Sequence, residues 1–381
     1  MLSLGKRFWF CGSHHYYRED WDTQKNNDFF GESQTRQHGH NYELWIDFIG
    51  KLSDAHHMIM PFSEIKTLVN THVISHYDHR HFNHATWPFS EGKIQPELGN
   101  LGVSLFDRLC DVFSKFSIAP RVLTLKELSG NTIRYSKDTL QREFQVIVQN
   151  VPLLFIQNGH TFRQPYPVRI SVWINSPIDE DLSTFKVWEA LSSQFTQWAD
   201  LKMSQFLDPS HFLPLAFYCL PWWSELHSKL SIVKLEIQAL DQQLCYEGND
   251  QLLLSVETSL NMAHRLFDLT KSQKENLQLF GPCAQDHGHD FRVIGSYNIA
   301  LDQLTDPNLD LSKPYLFRQS QILSPYQNCH LNHDCPEFSG QLLTCELLIM
   351  SLSKLFSSQL SEFSGLELYE TPNNRFLCVD E

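Results

Sequence analysis

Two His-Gly-His triplets, His38-Gly39-His40 and His287-Gly288-His289, stand about 250 residues apart in a chain of 381. Alternating apolar residues follow each, Tyr42-Glu43-Leu44-Trp45-Ile46 and Phe291-Arg292-Val293-Ile294, so both triplets open strands. Side chains two apart on a strand share a face, so the two imidazoles of each triplet project together. Roughly 25 residues upstream, His14 and His264 each close another strand-like run. Three imidazoles with an open position are the pattern of catalytic zinc. The expected ligand sets are His14, His38 and His40, and His264, His287 and His289. Polar strand faces could carry the same histidines without a metal; the matched double occurrence favours Zn2+.

Cys283 stands four residues before His287. A thiol this near a divalent cation gains thiolate character and could act as a general base. Ser33 occupies the matching place before the first triplet, and serine is a far poorer base. Asp78-His79 pairs an acid with an imidazole that it could orient for proton transfer. Gln327 and Asn328 stand in the matching place of the later segment. Glu127 and Glu370-Thr371 end strand-like runs, and a buried carboxylate there could take two donors from a guanidine-like edge of a heterocycle. A strand-end Glu in solvent is the alternative.

The elements around these residues repeat. In the first segment, helix patterns at about 62–76 and 97–116 are followed by short strands at 121–128 and 131–135. Near the end, a helix-like run at about 339–358 precedes strands at 366–369 and 375–379. The middle repeats the order without the histidines: strands at 145–148 and 168–174, helices at 185–201 and 215–230, strands at 231–235 and 243–246. A short echo, Asp208-Pro209-Ser210-His211-Phe212, lines up with Asp78-His79-Arg80-His81-Phe82. The reading is α+β, with three β-β-α-α-β-β units at 1–136, 137–250 and 251–381. Two units with an unrelated insertion are the alternative.

The ordered set — a strand-end His, Cys shortly before His-Gly-His, Asp-His, a late Glu-Thr — resembles the 6-pyruvoyltetrahydropterin synthase / 6-carboxytetrahydropterin synthase family. The similarity covers the first and last units. The resemblance implies tandem T-folds, here three forming a pseudo-trimeric antiparallel barrel with helices outside, and two chains stacking as a homodimer of pseudo-trimers. It implies a pterin substrate held by Glu370, Thr371 and Glu127, zinc on the histidines, and a site between subunits where one contributes zinc and Cys and its neighbour the Asp-His pair. Cys283 with His264, His287 and His289 would then share one composite site with Asp78 and His79. The four-residue gap from Cys283 to His287 resembles the 6-carboxytetrahydropterin branch, which makes a queuosine precursor from 7,8-dihydroneopterin triphosphate. The rivals are the 6-pyruvoyl product and a non-catalytic pterin-binding scaffold.

Composition narrows the partners. A formal charge of -14 with no basic tract repels phosphate backbones and argues against nucleic acid. No run of apolar residues is long enough for a membrane span, and the first residues do not read as a signal peptide. Nine scattered Cys form no disulfide pattern, which fits a reducing, cytoplasmic setting.

Overall fold

Period-2 burial along the chain produces fourteen strands among the described residues. They are β1 (Leu2–His14), β2 (His38–Gly50), β3 (Arg80–His81), β4 (Ile118–Glu127), β5 (Thr132–Ser136), β6 (Thr139–Gln157), β7 (His160–Ser176), β8 (Lys234–Ala239), β9 (Gln242–Tyr246), β10 (Gln251–His264), β11 (His287–Ala300), β12 (Cys329–His330), β13 (Phe363–Thr371) and β14 (Asn374–Val379). The structure is a computed structural model and describes residues 1–53, 56–137, 139–157, 160–176, 183–205, 212–240, 242–305 and 312–379.

Twelve of these strands form a ring in the order β11-β13-β14-β1-β2-β4-β5-β6-β7-β8-β9-β10, and β10 pairs back onto β11 to close it. Every pairing around the ring is antiparallel. Closure leaves no long open edge. The two-residue strands β3 and β12 add in parallel to the ends of β1 and β10. Three seams join successive four-strand groups: β5–β6, β9–β10 and β14–β1.

Two longer helices connect the hairpins of each group: Phe62–His72 and Leu98–Phe113, Ser183–Gln205 and Ala216–Leu230, Ser312–Leu323 and Cys345–Gln359. They cover one face of the sheet. Tyr42, Leu44, Ile46 and Phe48 of β2 are fully buried in one core with Leu101, Leu105 and Leu109 of the helix Leu98–Phe113. The intervening side chains face the inside of the ring, and several are charged. Arg7 lies 3.5 Å from Glu43, Arg375 2.6 Å from Asp47 and Arg292 2.6 Å from Glu257. Helices thus sit outside and an ion-paired lining inside.

The tandem T-fold barrel expected from sequence is the observed architecture, with local differences. The helix Ala216–Leu230 ends on Ser231 in the left-handed region (φ 52°), which delays β8 to Lys234 instead of 231. The helix expected at 339–358 starts late, because Thr344 caps a helix that begins only at Cys345. The helix Ser312–Leu323 and the short helices Thr23–Phe30 and Gln273–Phe280 were not foreseen. The echo at 208–212 falls, except for Phe212, outside the described residues. No helix among the described residues is long and apolar enough to cross a membrane.

Candidate metal centres and active site

The antiparallel register of β10 and β11 sets His264 directly opposite His287, and pleating turns His289 to the same face. Ring centroids of the three lie 4.5, 5.1 and 5.6 Å apart. Glu370, near the end of β13, joins them: the four ligand atoms lie within 4.8 Å of one another. Its Oε1 is 3.6 Å from His264 Nε2 and 3.8 Å from His289 Nε2. In the first unit, His14 is opposite His38, and the rings of His14, His38 and His40 are 4.6, 5.1 and 5.2 Å apart. Glycine between the paired histidines has a steric reason. A Cβ at Gly39 would sit 3.2 Å from Gly12 O, and one at Gly288 3.1 Å from Met262 O.

The residues fit a metal. His14 and His264 are 0% and 2% exposed, yet the Nε2 atom of each has no hydrogen-bond partner among the described residues. Such an orphaned buried nitrogen is costly unless something else fills its role. Carbonyl groups fix the other side of several rings. Pro96 O is 2.7 Å from His14 Nδ1, Arg36 O 2.8 Å from His38 Nδ1, and Gln285 O 2.8 Å from His287 Nδ1. A carbonyl only accepts, so Nδ1 carries the proton and Nε2 keeps its lone pair. Burial, reinforced in His264 by His287 and His289, pushes His14 and His264 down to about 3. Neutral imidazole is the metal-binding form.

Around the last cluster, Cys283 lies half-buried on the turn Gly281–Ala284. Burial and then the Glu370 carboxylate push its thiol up, so thiolate character needs a nearby cation. Glu370 accepts from Cys345 Sγ at 3.5 Å and from Asn374 Nδ2 at 3.3 Å, and Lys6 Nζ donates to Asn374 Oδ1 at 2.6 Å. Thr371 is engaged locally, its hydroxyl accepting from Asn373 N–H at 3.3 Å.

Sequence reasoning missed Glu346, which lies in the first turn of the helix Cys345–Gln359 and is 4% exposed. Its Oε1 accepts from Ile59 N–H at 3.2 Å, and Thr344 Oγ1 donates to His57 O at 2.8 Å. The segment 57–59 of the first unit therefore reaches the last unit's site across the β14–β1 seam. Burial raises Glu346 to about 7. An acid in a first helical turn reads from sequence as a dipole partner, so no local signal marked it.

The first cluster is differently surrounded. Glu127 does not join its histidines within the same 4.8 Å limit. Its Oε2 instead accepts from Asn131 Nδ2 at 2.9 Å. Glu97, the N-cap of Leu98–Phe113, is gripped by Arg142 of β6 through two bonds of 2.5 and 2.6 Å. Burial works against ionisation of Glu97, but Arg142 outweighs it and holds the carboxyl below its usual range. A cavity of about 470 Å³ at this β5–β6 seam is lined by His40, Glu97, Glu127, Arg142 and Trp188 among others. Sequence inspection did not single out Arg142, because only the seam brings it to Glu97.

Asp78 and His79 sit elsewhere on the first unit. Asp78 Oδ1 accepts from Cys11 N–H at 3.0 Å, and Oδ2 is 2.9 Å from His79 Nδ1. His79 adopts φ 56° and donates its N–H to Cys11 O at 2.8 Å. Asn328 repeats this geometry in the last unit, with φ 58° and its N–H on Asn261 O at 2.8 Å. β2 occupies one edge of β1 along residues 3–14, so β14 at residues 2–6 and β3 at 12–13 must share the other. Asp78-His79, which leads into β3, is therefore on the edge of β1 that faces the last unit.

Against this geometry, the 6-pyruvoyl tetrahydropterin synthase family model matches residues 3–138 and 253–380. The chain belongs to this family. It is 28% identical over 130 residues to the 6-pyruvoyl tetrahydrobiopterin synthase of Homo sapiens, an alignment covering 32% of this chain and 88% of that protein. The Dictyostelium discoideum enzyme of the same name is 24% identical over 124 residues, 32% of this chain and 92% of that one. The solved Caenorhabditis elegans 6-pyruvoyl tetrahydropterin synthase aligns with TM-score 0.32 and 21% identity, over 36% of this chain and 96% of that chain. Both family segments carry a three-imidazole cluster.

Proposed function

We propose that the chain is a zinc-dependent lyase acting on 7,8-dihydroneopterin triphosphate, with one working site at the β14–β1 seam. The observation that carries this reading is the convergence of His264, His287, His289 and Glu370 on one side of that seam, with Cys283 on the adjoining turn within electrostatic reach of Glu370 and Asp78-His79 on the edge facing it. The three imidazoles and an open position would hold Zn2+, whose chemistry is to polarise substrate side-chain oxygens and stabilise negative charge on them. Glu370 receives the pterin's 2-amino and ring N–H donors, and Thr371 lies beside it at the strand end. Cys283 takes the proton from the carbon next to the developing carbonyl. His79, oriented by Asp78, handles the second proton. In this reading Glu127, His14, His38 and His40 make a second pterin-like seat without a base, since Ser33 replaces the thiol.

The units are read as 1–136, 137–250 and 251–381, and two chains stack ring on ring. The spacing of Cys283 to His287 favours 6-carboxy-5,6,7,8-tetrahydropterin as product. A 6-pyruvoyl product is the second reading, and similarity to 6-pyruvoyl tetrahydrobiopterin synthases favours it. Incubating the full chain with the triphosphate, with and without chelator, and weighing the product by mass spectrometry tests both. No turnover in metal-replete protein would leave a pterin-binding scaffold.

A further inference from the structure

A second group of imidazoles lies beside the strand ends, and the proposed reaction does not use it. In the last unit it comprises Asp286, His330 and His333, whose ligand atoms lie within 4.8 Å of one another. Asp286 and His330 come from separate segments. His330 Nε2 is 3.1 Å from Asp286 Oδ1. The His330 and His333 rings, three residues apart around the one-turn helix Leu331–Asp334, have centroids 4.2 Å apart. His330 Nδ1 is buried and has no hydrogen-bond partner among the described residues.

The first unit builds a related pair without the carboxylate, Gln37 standing where Asp286 does. His81 and His84 correspond to His330 and His333, with rings stacked 4.3 Å apart and His15 at 5.3 and 5.9 Å. His81 Nδ1 is likewise buried without a partner. Both turns are pinned to the preceding strand end by an asparagine. Asn83 bonds His15 N and O at 3.0 and 2.9 Å, and Asn332 bonds Arg265 N and O at 2.9 and 3.2 Å. Two units thus hold a close pair of imidazoles on a fixed turn, stacked in the first and tilted by 40° in the last. Two imidazoles held this close gain little from each other, whereas a cation between their nitrogens gains from both.

We propose that Asp286, His330 and His333 form a divalent-cation site separate from the three-imidazole cluster. Two imidazoles and a carboxylate suit a borderline metal such as Zn2+, with water completing the shell because Asp286 is 57% exposed. Arg265 Nη1, 3.7 Å from Asp286 Oδ1, is a cation already near and must swing aside on its flexible stem. A bound ion would tie Asp286, next to the strand β11, to the turn at 330–333. This inference does not depend on the proposed reaction.

The test is calorimetric titration of Zn2+ into the metal-stripped full chain. Wild type is expected to show a weaker class of sites besides any tight one. His333→Ala and Asp286→Asn should each weaken one site of that class at least tenfold and leave the tight class intact. Both side chains lie at the surface, and circular dichroism checks folding. His287→Ala should do the reverse, removing a tight site and keeping the weak one. Zinc stoichiometry and affinities unchanged in both His333→Ala and Asp286→Asn would overturn the proposal and leave His330 and Asp286 as a simple hydrogen-bonded pair.

Discussion

The first and last units set three imidazoles on equivalent strand ends with nearly equal ring separations, 4.6–5.2 Å and 4.5–5.6 Å. What surrounds them differs. In the last unit, Glu370 turns onto the cluster and Cys283 lies near it. In the first, Glu127 is held by Asn131, and a guanidinium from the middle unit is locked on Glu97 beside the cavity. The cluster geometry comes with the strand register, so it survives wherever the hairpin folds. Reactive groups lie on turns and across seams, where each unit can diverge without disturbing the barrel.

The largest effect should follow from breaking the last cluster. His287→Ala, or exhaustive chelation of the wild type, is expected to abolish turnover; metal analysis of the variant should show one site fewer per chain. Full activity in metal-free His287→Ala protein would sink the catalytic role of that centre.

Next come the two groups assigned to proton transfer. Cys283→Ala and His79→Ala should each lower kcat by about a hundredfold or more, the usual range for a positioned acid or base. The double variant should be scarcely worse than either single one, because groups acting as a unit are non-additive. Losses that multiply in the double variant would place the two residues in separate sites.

Arg142→Ala probes the contrast from the other side. Leaving Glu97 buried and unpaired should cost roughly 3–5 kcal/mol of stability, read as a fall in Tm, while kcat at the last unit's site stays unchanged. A large loss of turnover would mean that the first site carries the reaction.

Glu346 gives a pH signature. Its folded value, about 7, lies above the ordinary 4.5, so between those values the folded chain holds a proton that the unfolded chain has released. Stability therefore falls as pH rises from about 4.5 through 7, on the order of 3 kcal/mol for a shift of this size. Glu346→Gln should flatten that part of the denaturation profile; an unaltered slope would mean that Glu346 ionises freely. The smallest effects belong to the degenerate places. Ser33→Ala and Asn328→Ala should leave kcat/KM within a few-fold, and a larger loss in either would blur the division between the two sites.

Much of the fold was legible because hydrophobic alternation and helix periodicity are local. β2 and β11 were marked by Leu44-Trp45-Ile46 and Val293-Ile294, and the six histidines by spacing on those strands. The helix Ser312–Leu323 was not, since a weakly patterned segment folds as helix only when a sheet face is there to cover. Thr344 moved a helix start by several residues because capping chemistry, not hydrophobicity, decides where a helix begins.

The sequence by itself determined that two segments, each carrying three imidazoles on a hairpin, repeat within one chain, because period and spacing are written residue by residue. Only the tertiary structure decided what each cluster meets. Closure of the ring puts β6 beside β5, which delivers Arg142 to Glu97, and puts β1 beside β14, which carries Ile59, His57 and the edge bearing Asp78-His79 toward the last unit. Those neighbours are remote in sequence, and nothing local in either strand specifies them. Their encounter follows from burying twelve strands without leaving an edge.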